Sequence, residues 1–234
     1  MSRPFSVKLR RYEIMAGALW LVVYLFLLDD GLRLLLETLG RPDDDILLNK
    51  VYFLTGFLGT AALFHRFLAD SLRPLAAQPG RFLKGILLGF FVYEFCQIGL
   101  SMIYELAVPE LQIPNDNNLQ SLAGQNLPVI AAGAVLLSPV TEETLLRGLV
   151  FGSLREKSRA AAYGVSAALF AGMHVVNYIS VLEPSSFALN LIVYLLPGAA
   201  LCACYEYSGT VWGPILLHAA INGIGLWAMV SQGL

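Results

Sequence analysis

Seven stretches of the chain, roughly 13–38, 46–68, 82–107, 127–152, 160–180, 187–205 and 210–231, are almost wholly apolar and close to twenty residues long or longer. That is the length a helix needs to cross the hydrocarbon core of a bilayer. Lipid offers no hydrogen bonds to a backbone, so such segments cross only as helices or as strands of a closed barrel. Barrel strands alternate with a period of two, and these segments are too long and too uniformly apolar for that. Together they take up most of the 234 residues, which leaves no room for a soluble domain. The charge content agrees: 14% of residues are charged, against about 25% in soluble domains. The expectation is an all-α fold, a polytopic transmembrane helical bundle of about seven spans, forming a single integral-membrane domain over 1–234.

The charges that remain are sorted by connection. Arg3, Lys8, Arg10 and Arg11 precede the first span, Arg66, Arg73, Arg81 and Lys84 lie between the second and third, and Arg155, Lys157 and Arg159 follow the fourth. The alternate connections are nearly free of Lys and Arg, as the positive-inside rule requires. This places the N-terminus in the cytoplasm, and with seven spans it places the C-terminus outside. The start resembles a signal peptide but lacks a small-x-small cleavage site and runs into Asp29 and Asp30, so it reads as an uncleaved first span. Residues 108–126, polar and rich in Asn, read as an external loop capping the bundle. No nucleic-acid partner is expected; the partner implied is the lipid bilayer.

Against this background SPVTEETLLRGL, at 138–149, is costly. Each charge at the bilayer centre costs about 2.5–3.5 kcal/mol on insertion scales, and three fall within six residues: Glu142, Glu143 and Arg147. Glu143 and Arg147 are four apart with the acid first, the favoured order for a helical ion pair. Glu142 sits about 100° further round, too far for Arg147 to serve both. An ionisable group left over inside a membrane is a functional hypothesis by default. Two more polar sets lie in later spans: Phe170, His174 and Asn177 in the fifth, His218 and Asn222 in the seventh. Each could be a private helix–helix hydrogen bond, but one shared pocket explains all of them together. Counted from the basic connections, Glu142, His174 and His218 lie roughly 12–22 Å deep at 1.5 Å per residue, so they are expected to meet in the cytoplasmic half.

A carboxylate beside an imidazole can hold and deprotonate a water, and a second His with an Asn can donate to a developing oxyanion. The competing arrangement is zinc on two His and one Glu with water as fourth ligand. There is no His-Glu-x-x-His helix, yet spacing alone does not choose between the two.

Glu142-Glu143-x-x-x-Arg147, Phe170-x-x-x-His174 and His218-x-x-x-Asn222, in that order on three spans, resemble the three motifs of the CAAX-processing and bacteriocin-processing (CPBP) family of intramembrane proteases, which includes the CAAX prenyl endopeptidase. The resemblance covers about 125–230, the catalytic core spans, and YEYSGTVWGPILLH with Gly209 and Trp212 is also of the family kind. It implies an intramembrane endopeptidase of a bacterial inner membrane, acting on a membrane-anchored or secreted peptide or protein. In it Glu142 activates water with His174, His218 and Asn222 form the oxyanion site, and Glu143, Arg147, Phe170 and Asn177 support them. It further implies glutamate-dependent chemistry without a metal or other cofactor.

The alternatives are a non-catalytic binding or immunity protein of the same fold, a zinc-dependent membrane hydrolase, and a transporter. A transporter would show repeat symmetry and broken spans in matching halves, and none is visible. Cys96, Cys202 and Cys204 read as small buried hydrophobes, His65 as interfacial, and Asp29 and Asp30 as the outer end of the first span or a break in it. Glu94 and Gln97 either line the cavity or pair across helices.

Overall fold

The computed structural model describes residues 5, 7–108 and 111–232, so Arg3 and residues 109 and 110 of the expected loop lie outside the described residues. The chain is a helical, multi-pass membrane protein. Six segments among the described residues are long and apolar enough to cross a membrane: Asp45–Ala77, Pro79–Leu106, Pro114–Arg155, Arg159–Tyr178, Pro184–Ser208 and Trp212–Ser231.

The expected first span differs. It breaks at Leu27 (φ −125°) into α1, Arg11–Phe26, and α2, Leu28–Thr38. The break falls just before Asp29 and Asp30, and Asp29 pairs with Arg33 one turn on, at 2.7 Å, outside the apolar stretch. Together α1 and α2 follow α3 (Asp45–Asp70) along its whole length. Arg10 faces Asp70 at 3.9 Å at one end, Trp20 donates to Thr60 at 2.9 Å midway, and Arg33 faces Asp45 at 3.8 Å at the other. The bundle therefore has seven passages, the first made by two helices in tandem.

After α4 (Leu72–Ala77), the long α5 (Pro79–Ala107) returns across the bundle. Residues 108–126, expected as a loop, are largely helical: α6 spans Pro114–Ala131 and bends at Asn126 (φ −154°, ψ 77°). Pro128 causes the bend, because it removes a backbone donor and pushes the preceding chain out of helical geometry. The Asn126 side chain repairs the break by accepting from the Val129 N–H at 3.3 Å, as a helix N-cap does. The chain then runs without interruption through π-helical turns at Ala132–Leu137, through α7 (Ser138–Glu143), through a second π-helical stretch at Thr144–Phe151, and into α8 (Gly152–Arg155). Ser158 caps α9 (Arg159–Val175), which ends in a 3-10 turn at Val176–Tyr178. The last two helices are α10 (Pro184–Ser208) and α11 (Trp212–Ser231), joined through Gly209, whose φ of +75° closes α10 in the left-handed conformation.

In lipid, helices associate mainly by close packing, so small residues mark the contacts. A Cβ on Gly198 would lie 3.1 Å from the Ala167 Cα, which brings α9 and α10 nearly backbone to backbone. At the basic end Glu206, the last acid of α10, accepts from Arg155 at 2.5 Å, from Arg159 at 3.0 Å and from the Tyr163 hydroxyl at 2.8 Å. Lys8 pairs with Glu156 at the same end. Lys8 just before α1, the α8–α9 turn and the end of α10 thus all sit on one face of the bundle. Cys96, Cys202 and Cys204 are free thiols, the last two buried.

Candidate active site

The motif glutamates sit on α7, between the two π-helical stretches, and the irregular register matters there. A π turn bonds each N–H to the carbonyl five residues back, and the Ser138 N–H does so with Gly133. In that register the Ala134 carbonyl would wait for the N–H of residue 139, which is a proline and has none. Asn222 supplies the missing donor: its Nδ2 gives a hydrogen bond to the Ala134 oxygen at 2.8 Å. Asn222 is thereby fixed on α11, with its second amide hydrogen and its oxygen still to be used.

Glu142 and Glu143 point into different surroundings. The Ser138 hydroxyl, one turn before, donates to Glu142 Oε1, while Glu142 Oε2 is buried with no hydrogen-bond partner. Tyr24 of α1, buried, lies within electrostatic reach of this glutamate, so the first passage backs it. Glu143 has no exposure at all. Its Oε1 accepts from Arg147 Nη1 at 2.9 Å and also from His218 Nδ1 at 2.8 Å. Arg147, equally buried, donates through Nη2 to the Gly198 carbonyl at 2.8 Å and lies 4.8 Å over the Phe170 ring. The charge expected to serve Arg147 alone therefore bridges Arg147 and His218.

Phe170 is the hub of the cluster. Its ring lies 4.6 Å from that of His174 and meets His218 edge-on at 5.6 Å. His174 gives its Nδ1 proton to the Phe170 carbonyl at 2.8 Å, a bond that fixes the tautomer and leaves Nε2 as an acceptor. Its other face stacks on Tyr194 of α10, with centroids 4.6 Å apart and planes 17° apart. Glu142 and His218 both lie within electrostatic reach of this ring. Five motif side chains thus converge with Phe170 at one level of the bundle. Asn177 does not join them: α9 ends at Val175, and Asn177 is exposed in the 3-10 turn, off the face that the motif spacing suggested.

Depth also departs from expectation. His218 is six residues, about 9 Å, into α11 from the basic end, whereas His174 is fifteen residues, about 22 Å, from Arg159. The cluster straddles the middle of the bundle, and its His174 side is in touch, through Tyr194, with Asn115 and Asp116 of the opposite connection. Gln97 donates to Tyr93 on its own helix, and His65 is exposed at its span end, donating to the Ala62 carbonyl.

Residues 124–224 match the family described as type II CAAX prenyl endopeptidase Rce1-like. That segment is similar to the CPBP family. CPBP proteins of this type are intramembrane peptidases, so the chain belongs among membrane-embedded hydrolases. The CPBP segment begins just before the bend at Asn126 and ends just after Asn222, which encloses Glu142, Glu143, Arg147, Phe170, His174, His218 and Asn222; α1 to α5 and the start of α6 lie outside it. No curated protein and no solved structure matches the chain.

Sequence reasoning missed Ser138, Tyr194 and the His218–Glu143 contact. Ser138 is four residues before Glu142, and Tyr194 is a phenol in mid-span whose hydroxyl needs a partner; both were signals. Nothing in the spacing linked His218 to Glu143. Among the described residues no three His, Cys, Asp or Glu side chains are grouped so as to hold a metal ion.

Proposed function

We propose that the protein hydrolyses a peptide bond in a membrane-anchored or secreted peptide, with Glu142 as general base. The observation that carries this reading is the buried, unpartnered Oε2 of Glu142, a carboxylate within electrostatic reach of His174, whose remaining ring nitrogen is an acceptor. A water held between them would donate a hydrogen bond to His174 Nε2 through one hydrogen, which it keeps, and lose its other proton to Glu142 as its oxygen adds to the scissile carbonyl. The carbonyl oxygen becomes an anion and takes hydrogen bonds from His218 Nε2 and the second amide hydrogen of Asn222. Donation from His218 Nε2 while Nδ1 serves Glu143 requires both ring nitrogens to carry protons. A carboxylate at 2.8 Å is the partner such an imidazolium needs. Glu142 then passes its proton to the amine nitrogen as the C–N bond breaks, which releases a carboxylic acid and an amine; the acid's proton then moves to the amine, leaving a carboxylate and an ammonium. The same cluster read as a binding pocket would hold the peptide uncut.

The basic face, carrying Lys8, Arg155 and Arg159, would face the cytoplasm of a bacterial cell. The test of function is turnover by purified protein in proteoliposomes of a panel of internally quenched peptides. The panel includes a C-terminal Cys-aliphatic-aliphatic-X peptide prenylated on its cysteine, the substrate class in the matched family's description. Turnover is expected to survive exhaustive chelation, with metal content measured on the same sample. Activity lost to chelator and restored by stoichiometric zinc would make this a zinc hydrolase and remove His218 from the oxyanion role. Peptides retained but never cut would make it a binding protein.

A further inference from the structure

Two polar side chains one turn apart on α10, Asn190 and Tyr194, are buried in its otherwise apolar stretch 187–204. Both are satisfied by one short piece of chain. Asn190 Nδ2 donates to the Gln112 carbonyl at 3.0 Å; the Tyr194 hydroxyl donates to Asp116 Oδ1 at 2.5 Å and accepts from Asn115 Nδ2 at 3.2 Å. Residues 112–116 therefore clasp α10 from the non-basic end, and they lie outside the matched family segment of 124–224. The ring of Tyr194 in turn covers one face of His174.

We propose that Tyr194 is a positioning residue for His174, and that Asp116 acts on the reaction through it. This rests on the assignment of His174 to the attacking water. The His174 bond to Phe170 fixes one ring nitrogen by a single contact within its own helix, about which the imidazole can still tilt. Phe170 covers one face at an angle of 43°, and among the described residues only Tyr194, at 17°, lies flat against the ring. Where Tyr194 lies is decided by its hydroxyl, hence by Asp116 and Asn115. The start of α6 is thus part of the catalytic apparatus and sets the direction of His174 Nε2.

The chain contains three histidines, so imidazole resonances in isotopically labelled protein in nanodiscs can be assigned one by one. In the wild type His174 is expected as a single Nδ1–H tautomer with ring protons shifted upfield by Tyr194. Tyr194→Leu should abolish that shift, mix the tautomers and lower kcat about 100-fold, the scale of an ångström-level misplacement, with KM changed by less than about twofold. Tyr194→Phe keeps the ring and loses the tie, and Asp116→Asn weakens the tie; both should lower kcat by roughly tenfold and broaden the His174 signals, leaving those of His218 unchanged. Kinetics use whichever peptide of the panel the wild type cuts fastest, with Glu142→Gln alongside. If Glu142→Gln is inactive while all three variants keep wild-type kcat and His174 signals, the positioning role is wrong and the base assignment stands. Loss of kcat in which His174 and His218 signals change together with a fall in melting temperature would reduce Tyr194 to a structural residue. Wild-type turnover by Glu142→Gln would remove the reading on which the positioning role depends.

Discussion

Glu143 holds Arg147 and His218 with no exposure to solvent or lipid. Removing its charge leaves the buried Arg147 and His218 with no counter-charge between them. Breaking a buried pair by deleting one partner costs about 3–5 kcal/mol, so Glu143→Gln should lower the melting temperature and the yield as well as turnover, as a thermal-shift assay in detergent would record. Stability unchanged from wild type would mean the bridge carries little. Part of this was readable from the sequence: Glu143 and Arg147 are four apart, which predicts the pair, and Glu142 is the acid left over. His218 stands 75 positions from Glu143, and only the packing of α11 against α7 brings them together. Ser138 is four residues from Glu142 and on its face, but a serine among apolar residues carries no charge to draw notice. Asn222 was legible as a donor by type. Its engagement with Ala134 was not, because it depends on a π register around Pro139 that no hydrophobic pattern reveals.

Apolar length predicted the six long helices well, because helical hydrogen bonding within the segment leaves lipid-embedded chain little choice. It failed where local chemistry overrides length. Leu27 breaks the first passage ahead of two aspartates, and 114–125 is helical although its polar composition reads as a loop. Two contacts between or within these elements can be tested. Gly198→Ala would bring a Cβ to 3.1 Å from the Ala167 Cα. It must push α9 from α10 at the residue whose carbonyl receives Arg147, at a cost of about 1–3 kcal/mol, as overpacking does. Asn126→Ala removes the cap that restarts the helix after the bend, worth roughly 1 kcal/mol. Denaturation followed by helical circular dichroism should rank Gly198→Ala as the larger loss; the reverse order would mean α9 and α10 have slack at this level.

For the molecule as a whole, the basic connections gather on one face and the 112–117 segment on the other, which makes the orientation measurable. Lys157 and Asn117 are both exposed, and Lys157 is chosen over its neighbour because Ser158 caps α9. In a Cys96→Ala background, with Cys202 and Cys204 buried, Lys157→Cys should be labelled by an impermeant maleimide only from the cytoplasmic side and Asn117→Cys only from outside. Labelling of both from one side would overturn the seven-passage arrangement. The catalytic account itself turns on one carboxylate oxygen. The measurement that meets it most directly is peptide turnover by Glu142→Gln beside wild type in the same proteoliposomes. Glutamine keeps the shape and an oxygen for Ser138 but cannot take a proton from water. Loss of a general base predicts a fall of about 10²–10⁴-fold with the melting temperature and monodispersity of the wild type retained. Turnover at the wild-type rate would contradict it.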